Sequence, residues 1–365
     1  MDETTRLAQK MAALTAMGFE RVESAPVMTE AFPVNGGSHR SSAVHPSMGT
    51  LVSITVVHPS LDQAQEAMGQ AFEEMDRVVR LLNRYDPDSA VTCLTLECRI
   101  DGPPPELSRV VALGLEYHGL SRGAFDITVQ PLVDLFASGA STPASSGRPP
   151  TGREILEALE LVDGSAVRVR SRSISLERDG MGVTLDGIAK GYVVDVMAQV
   201  LRAHGIRDYL INAGGDIRTG GRREDGDAWR VAIQNPLKDG RYLDVIAVPA
   251  GAVATSGSYE IYFDGERTRH HIVSGETGRS PQPWQSVTVV APTAVAADAL
   301  ATAVFVMGPA RGLTFIDSLP DCACLIIDEA NRQLRSSGWR SAANVPQEEA
   351  GPYATRSDAG PDRNA

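Results

Sequence analysis

The chain has 365 residues, of which 42% are hydrophobic, 22% charged and 5% aromatic, a composition typical of globular proteins rather than disordered or fibrous ones. At about 150 residues per domain, this length predicts one large domain or two closely joined ones. The 46 acidic and 34 basic residues give a net charge of −12. Nucleic-acid binding is therefore disfavoured as the main function, because an acidic surface repels phosphate backbones.

The sequence also bears on location. No apolar run approaches the roughly 20 residues that span a bilayer. The apolar stretch Met11–Phe19 is short, and no small-x-small cleavage site follows it. The cysteines, which lack the usual zinc spacings, predict reduced thiols; they are Cys93, Cys98, Cys322 and Cys324. We expect a cytoplasmic protein without a membrane span.

In chain order, residues 1–44 contain scattered Gly, Ser and Pro, which predicts a weak helix at 3–17 and then a flexible leader. Alternating β-branched residues over 51–57 predict a strand. Ser60 begins a helix that runs to about Asn83, and Gln63 completes a capping-box pattern.

The remaining pattern interleaves helices and strands. Helices are predicted at 107–119, 154–160, 190–204, 293–307 and 311–318 and strands at 208–212, 229–234, 243–248, 252–256, 259–263, 287–290 and 323–327. We predict a loop at 138–153, and a hairpin that joins 167–176 to 182–185 around Asp179-Gly180. The absence of strict βαβ repetition favours an α+β fold. One domain is expected over 45–340, with a disordered tail from 341 to 365.

The segment from Thr184 to Tyr192 is the first with a pattern that favours chemistry. A strand ends there, a glycine turn follows, and a helix begins near Gly187. A helix N-terminus after such a turn suits a phosphate, because free N–H groups and the helix dipole point at it. Lys190 adds positive charge. An ordinary strand-turn-helix connection explains the same residues equally well.

A second candidate is the pair Asp298 and Thr302, which lie one helical turn apart among alanines. A buried carboxylate is costly unless it is paired or binds a metal. Carboxylate and hydroxyl oxygens are hard ligands that suit Mg²⁺ rather than zinc. The alternative is a polar helix face without a ligand.

Three further segments remain ambiguous by themselves. Tyr85 offers a flat face to a ring, or belongs to a turn at the end of a helix. Asp126 lines a ligand site or caps the following turn. Of the adjacent His270 and His271, at most one faces a given site, since neighbouring side chains in a strand point to opposite faces.

The ordered set of motifs is more specific than any one of them. It comprises Met48-Gly-Thr, Arg84-Tyr-Asp-Pro-Asp-Ser, Gly123-Ala-Phe-Asp-Ile-Thr-Val-x-Pro-Leu, Gly187-Ile-Ala-Lys-Gly-Tyr-x-Val-Asp, Asn212-Ala-Gly-Gly-Asp, Thr255-Ser-Gly-Ser-Tyr, His270-His-Ile and Ala297-Asp-Ala-Leu-Ala-Thr-Ala. From about His45 to Arg335 the chain closely resembles the ApbE family of FAD:protein FMN transferases.

This resemblance implies an α+β, T-fold-like architecture with mixed or antiparallel sheets and packed helices. It also implies an Mg²⁺-dependent transfer of FMN from FAD to a Thr or Ser hydroxyl of an acceptor flavoprotein, with release of AMP. The acceptor is expected to carry a Ser/Thr-x-x-Thr segment.

Matching motifs carry the family's site onto this sequence. The implied FAD-binding residues are Met48, Tyr85, Ala124, Phe125, Asp126, Thr184, Lys190 and Ile272. The implied metal-binding positions are Gly187, through its backbone, Asp298 and Thr302. His271 is implied as a base near the acceptor hydroxyl, and Lys190 as a cation that acts on the pyrophosphate.

The sequence departs from the family in three ways. Thr184 stands where an acidic residue is usual, although Asp186 follows closely, and Ser274-Gly275 replaces the usual Asp-Pro. Many relatives are exported, whereas this chain shows no such signal. Two alternatives therefore remain: an FAD pyrophosphatase that yields FMN and AMP, or a non-catalytic flavin-binding or delivery protein.

Overall fold

The computed structural model describes residues 27–342 apart from 140–147, 238, 260–261, 265, 267 and 283. The predicted helix at 3–17 and the tail beyond residue 342 lie outside these residues. The helices are α1 Leu61–Leu82, α2 Ala90–Glu97, α3 Pro105–Ser121, α4 Gln130–Ser138, α5 Gly152–Leu159, α6 Ala189–Ala203 and α7 Ala294–Asp317.

The strands form three sheets. They are β1 Val27–Pro33, β2 His39–Ser47, β3 Thr50–His58, β4 Arg99–Asp101, β5 Val167–Arg170, β6 Ser173–Leu176, β7 Asp208–Ala213, β8 Asp216–Gly220, β9 Trp229–Gln234, β10 Tyr242–Val248, β11 Gly251–Gly257, β12 Trp284–Ala291, β13 Ala323–Asp328 and β14 Gln333–Arg335. The large sheet has the order β1-β2-β3-β7-β8-β11-β12-β13-β14, and β9–β10 and β4-β6-β5 form smaller sheets. Adjacent strands pair antiparallel, which confirms the α+β class.

Helix α1 shows how local sequence sets an element. Its apolar positions recur with helical spacing and are buried, and the Ser60 hydroxyl accepts a hydrogen bond from the Gln63 backbone N–H at 3.2 Å. The Gln63 side chain does not complete the predicted capping box. It donates instead to the carbonyl of His204 at 2.7 Å, which ties the start of α1 to the end of α6.

The main core lies between the large sheet and the helices. Helix α1 packs on α6, α6 packs on α7, and α7 packs on β11 and β12. Two helices were predicted over 293–318, and the structure has one span, α7, whose backbone leaves helical geometry at Gly308 with a φ of 74°. A glycine before Pro309 therefore breaks the span where the sequence indicated.

Within the described residues, α7 is the one helix that is long and apolar enough to cross a membrane. The expectation that no segment approaches this length is therefore wrong by length and composition alone. Half of its apolar window is buried inside the fold, and a core helix passes the same test.

Several predicted boundaries are wrong. Part of the predicted leader forms β1 and β2 in the large sheet. The hairpin turns between Arg170 and Ser173, so β5 pairs with β6 and not with 182–185. Of the predicted strand at 259–263, residues 260 and 261 lie outside the described residues, and the described part contains an isolated bridge from Tyr262 to His270.

The predicted loop at 138–153 is shortened at both ends, because α4 includes Ser138 and α5 begins at Gly152. Helices α2 and α4 were not predicted. Both are short, with eight and nine residues, so their periodicity gives little signal.

Candidate active site

The site forms where the first turns of α6 and α7 touch. A Cβ at Gly191 would lie 2.3 Å from the carbonyl oxygen of Ala294, so only glycine permits this approach. The carboxylate of Asp195 accepts hydrogen bonds from the backbone N–H groups of Ala294 and Val295, at 3.1 and 2.9 Å. Asp195 thus fixes the start of α7 against α6.

Asp298 lies at this contact. Its Oδ2 accepts a hydrogen bond from the Gly191 backbone N–H at 3.0 Å, and the residue is buried. Burial raises the pKa of Asp298 well above the usual value, the nearby Asp216 carboxylate raises it further, and Lys190 opposes both. A bound cation would relieve this cost of a buried charge.

Gly187 and Thr302 approach each other beside Asp298. A Cβ at Gly187 would lie 3.0 Å from the Thr302 Oγ1 and 3.2 Å from the ring of Phe125. The Thr302 hydroxyl is also 3.2 Å from the Ser256 hydroxyl on β11. The absence of a side chain at Gly187 therefore leaves a small space that a hydroxyl oxygen borders.

Lys190 forms an ion pair with Asp216, which is the first residue of β8. Its Nζ lies 3.3 Å from the Asp216 Oδ2, and the Asp216 side chain is only 3% exposed. Burial raises the pKa of Asp216, while the charge of Lys190 opposes the shift. The Lys190–Asp216 ion pair thus places a partly exposed ammonium group near Asp298.

A second ion pair, between Arg84 and Asp186, lies at the loop that runs from Thr184 to Gly187. Arg84 donates to the Asp186 Oδ2 at 2.8 Å, to the Tyr85 hydroxyl at 2.8 Å and to the Gln130 side-chain oxygen at 3.5 Å. Thr184 is buried, and its hydroxyl accepts from the Asp186 backbone N–H at 3.3 Å. The hydroxyl thus forms the turn that a carboxylate at this position could also form.

Asp126 lies near the site but is engaged by its own loop. Its Oδ1 accepts from the backbone N–H and hydroxyl of Thr128 at 2.7 and 2.6 Å. Its Oδ2 accepts from the Gly164 N–H at 3.3 Å and pairs with the His118 ring at 3.1 Å. These contacts favour the turn-capping interpretation for the carboxylate, while the ring of Phe125, the residue before it, lies next to Gly187.

Met48 lies in the turn between β2 and β3, with a φ of 50°. The Gly214-Gly215 turn between β7 and β8 lies alongside, because a Cβ at Gly214 would meet the Thr50 hydroxyl at 2.8 Å. Both turns lie at the end of the sheet where β8 begins with Asp216. Met48 therefore lies at the same end of the sheet as Asp216, the acidic partner of Lys190.

The histidine segment lies against α7. The ring of His270 is fully buried, packs edge-on against Phe305 with centroids 5.6 Å apart, and bonds the Pro281 carbonyl oxygen at 3.1 Å. Burial lowers the pKa of His270 to about 4. His271 is partly exposed and Ile272 is buried with the core, so His270 is the structural member of the pair.

The loop after the histidines is ordered without the usual Asp-Pro. The Ser274 hydroxyl accepts from the backbone N–H groups of Glu276 and Thr277, both at 3.3 Å. A Cβ at Gly275 would lie 3.7 Å from the Cβ of Asp126, which brings this loop next to the Ala124–Asp126 segment. Ser274 thus supplies the turn-forming oxygen of the missing aspartate.

The residues of the implied metal site fit a hard cation. Asp298 is a buried carboxylate that accepts a hydrogen bond from the Gly191 backbone N–H, and the Thr302 hydroxyl lies beside Gly187. Among the described residues, no group of three or more His, Cys, Asp or Glu side chains forms a metal cluster. One carboxylate, one hydroxyl and one backbone oxygen would not form such a cluster, and they are ligands that Mg²⁺ accepts.

Comparison with known proteins identifies the family and the fold. The ApbE family model matches residues 48–326. The FAD:protein FMN transferase of Vibrio cholerae serotype O1 is 30% identical over 303 residues, covering 81% of this chain and 90% of the relative. That of Escherichia coli K12 is 30% identical over 318 residues, covering 84% and 88%.

Solved structures agree. The flavin transferase ApbE from Vibrio cholerae superposes with a TM-score of 0.68 at 28% identity, covering 82% of this chain and 98% of that one. The ApbE protein from Thermotoga maritima gives a TM-score of 0.74 at 28% identity, covering 82% and 97%. The curated relatives of this chain are FAD:protein FMN transferases, and the chain is a transferase. The chain belongs to the ApbE family.

Sequence reasoning missed three residues of the site. Asp216 closes the Asn212–Asp216 motif, but nothing in the sequence pairs it with Lys190. Arg84 lies in the motif of Tyr85, yet its partner Asp186 is 102 residues away. Gly191 carries no signal except its place after Lys190, since its role depends on the approach of α7.

Proposed function

We propose that this protein transfers FMN from FAD to a Thr or Ser hydroxyl of an acceptor flavoprotein, in an Mg²⁺-dependent reaction that releases AMP. The observation that carries the proposal is the convergence of Asp298, Thr302 and Gly187 beside the Lys190–Asp216 pair. A pyrophosphate needs concentrated positive charge, and this site offers a cation ligand set and an ammonium group together.

In the proposed reaction, Asp298, Thr302 and the Gly187 backbone would hold the metal. Bound Mg²⁺ would neutralise pyrophosphate charge and steady the departing phosphate. Lys190 binds a pyrophosphate oxygen as a second positive charge. The N-cap residue of helix α6, Ile188, makes no side-chain cap hydrogen bond, so the positive dipole end of the helix adds to the same field.

The residues around this centre orient FAD and the acceptor. Tyr85 presents its exposed ring to a flat ring of FAD. The loop with Thr184, the Ala124–Asp126 segment, Met48 and Ile272 forms the surrounding walls. His271 accepts the proton of the acceptor hydroxyl as its oxygen bonds to the FMN phosphorus. The bond from that phosphorus to the AMP oxygen breaks, and AMP leaves.

The test is mass spectrometry after incubation with FAD, Mg²⁺ and an acceptor flavoprotein domain that carries a Ser/Thr-x-x-Thr segment. We expect the acceptor to gain the mass of an FMN phosphoester, with equimolar AMP, and chelation by EDTA to stop both. Release of AMP and free FMN with no labelling of any acceptor tested would instead support the pyrophosphatase. FAD that binds but stays intact would support a flavin-binding protein.

A further inference from the structure

Arg84 has contacts that its position at the end of α1 does not require. Its side chain is only 16% exposed, although it lies at the rim of the site, and Asp186 opposite it is 45% exposed. The guanidinium carbon lies 4.4 Å from the centroid of the Tyr85 ring. One arginine thus connects two segments that are 102 residues apart.

The contact with Tyr85 affects one face of its ring. The guanidinium covers that face and also donates to the phenol oxygen, while the residue as a whole remains 71% exposed. An exposed tyrosine normally samples several rotamers, and fixing it on ligand binding costs free energy. A ring that is already held can receive a flat ligand on its open face at lower cost.

The contact with Asp186 affects charge. Asp186 directly precedes Gly187, which lies against Thr302 in the site, and its side chain is 45% exposed. Lys190 pairs with Asp216 and Arg84 pairs with Asp186. Without Arg84, a half-exposed carboxylate would stand unpaired at the rim, where it would repel a pyrophosphate.

We propose that Arg84 is a positioning residue for FAD binding: it braces the Tyr85 ring from behind and neutralises Asp186 at the entrance of the loop that leads to Gly187. This inference rests on the proposed function. Thr184 stands where an acidic residue is usual, and Asp186 is the acidic residue two positions later. In this proposal, Arg84 neutralises and holds the carboxylate of Asp186.

The test compares R84M, R84K and D186N with the unchanged protein in the FMN-transfer assay, with FAD varied at saturating acceptor. We expect R84M to raise the KM for FAD by about tenfold, with kcat changed less than about twofold, because the contacts serve binding and not the reacting atoms. R84K keeps the charge but loses the planar fork, so its KM should be intermediate.

A matched control is R77M, because Arg77 lies in the last turns of α1, seven residues before Arg84. Arg77 also bridges two carboxylates, Glu74 and Glu106, but these lie outside the site. R77M should leave the KM for FAD unchanged. The double variant R84M/D186N should bind FAD better than R84M alone, because it also removes the Asp186 charge and leaves unpaired only Asp134, which is more distant from Arg84, at 4.0 Å, and 63% exposed.

The outcomes separate this inference from the proposed function. If the unchanged protein transfers no FMN, the proposed function fails. The role of Arg84 is then tested by comparing the Kd for FAD of R84M with that of R77M. If it does transfer FMN and the KM of R84M equals that of R77M, the role of Arg84 is overturned. A fall in kcat alone also overturns it. Should R84M not fold, R84K and D186N decide by the same comparison of KM.

Discussion

Two buried carboxylates near the site, Asp298 and Asp126, lie in opposite electrostatic situations. Asp298 is 6% exposed and the Asp126 side chain is 5% exposed. Asp126 accepts hydrogen bonds from Thr128 and Gly164 and pairs with His118. Asp298 accepts from the Gly191 N–H, and its pKa is raised by burial and by Asp216.

The contrast between Asp126 and Asp298 distinguishes a structural carboxylate from a functional one. Full satisfaction by the protein's own donors, as at Asp126, contributes stability. A buried carboxylate whose charged form the protein disfavours, as at Asp298, costs stability and is retained where a cation binds. We therefore expect changes at Asp298 to alter turnover and changes at Asp126 to alter folding.

The largest expected effect is that of Asp298→Asn. This change should lower the rate of Mg²⁺-dependent AMP release by about a hundredfold to a thousandfold, because the metal loses its charged ligand. The melting temperature without metal should stay equal or rise, since a strained buried charge is removed. Calorimetry and an AMP assay measure both, and unchanged turnover would refute the assignment of Asp298 as metal ligand.

The converse change is Asp126→Ala, which should lower the free energy of unfolding by about 2–4 kcal/mol. Four contacts are lost, and the buried donors of Thr128, Gly164 and His118 are left without their acceptor. Urea unfolding measures the loss. If Asp126→Ala proved as stable as the unchanged protein, the contrast between the two carboxylates would not hold.

The ion pair of Asp126 with His118 should add a pH dependence to stability. The hydrogen bond to Asp126 raises the pKa of His118 above its ordinary 6.5. The folded protein therefore holds this proton more tightly than the unfolded chain does. The resulting stability is fully present below pH 6.5 and is lost as the pH rises through the raised pKa.

Unfolding titrations on both sides of this pKa test the effect, with His118→Gln as the variant and His58→Gln, at a partly exposed position at the end of β3 outside the site, as the control. The unchanged protein and His58→Gln should lose stability as the pH rises, and His118→Gln should lose less. Equal pH profiles for all three would contradict the assignment.

The smallest expected effects concern Ser274. Ser274→Ala removes the acceptor for two backbone N–H groups and should cost about 0.5–1 kcal/mol of stability. Ser274→Asp keeps an acceptor oxygen at this turn, so stability and turnover should remain close to those of the unchanged protein. A strong loss of FMN transfer in Ser274→Asp would show that the family's aspartate and this serine are not equivalent.

The sequence predicted those elements whose signal is local. The helix α1 was predicted almost to the residue, because its apolar positions repeat with helical spacing and Ser60 caps it. The gap between the predicted helices 293–307 and 311–318 contains the break that the structure has at Gly308, because glycine is a local signal for the end of a helix. The hairpin was misplaced because the Asp179-Gly180 pair resembles a hairpin turn, whereas β5 and β6 turn earlier around Arg172.

The leader was misjudged for a different reason. Most residues of β2 are polar, and neither β1 nor β2 alternates regularly between polar and apolar residues. Both form strands because β2 pairs with β3 and β1 pairs with β2. Pairing of this kind supplies hydrogen bonds that no local sequence signal predicts. The Gln63 side chain likewise found a better acceptor in His204 than in its own helix.

By itself the sequence determined the α+β class, the main helices and, through its ordered motifs, the family and the candidate residues at Asp298, Thr302, Lys190 and Gly187. Only the tertiary structure decided which carboxylates are satisfied and which charges pair. Asp126 and Asp298 are the same residue type, and each stands between two apolar residues in the sequence. Their environments differ because hydrogen bonds and ion pairs depend on distances between segments that are far apart in the chain, and folding alone sets those distances.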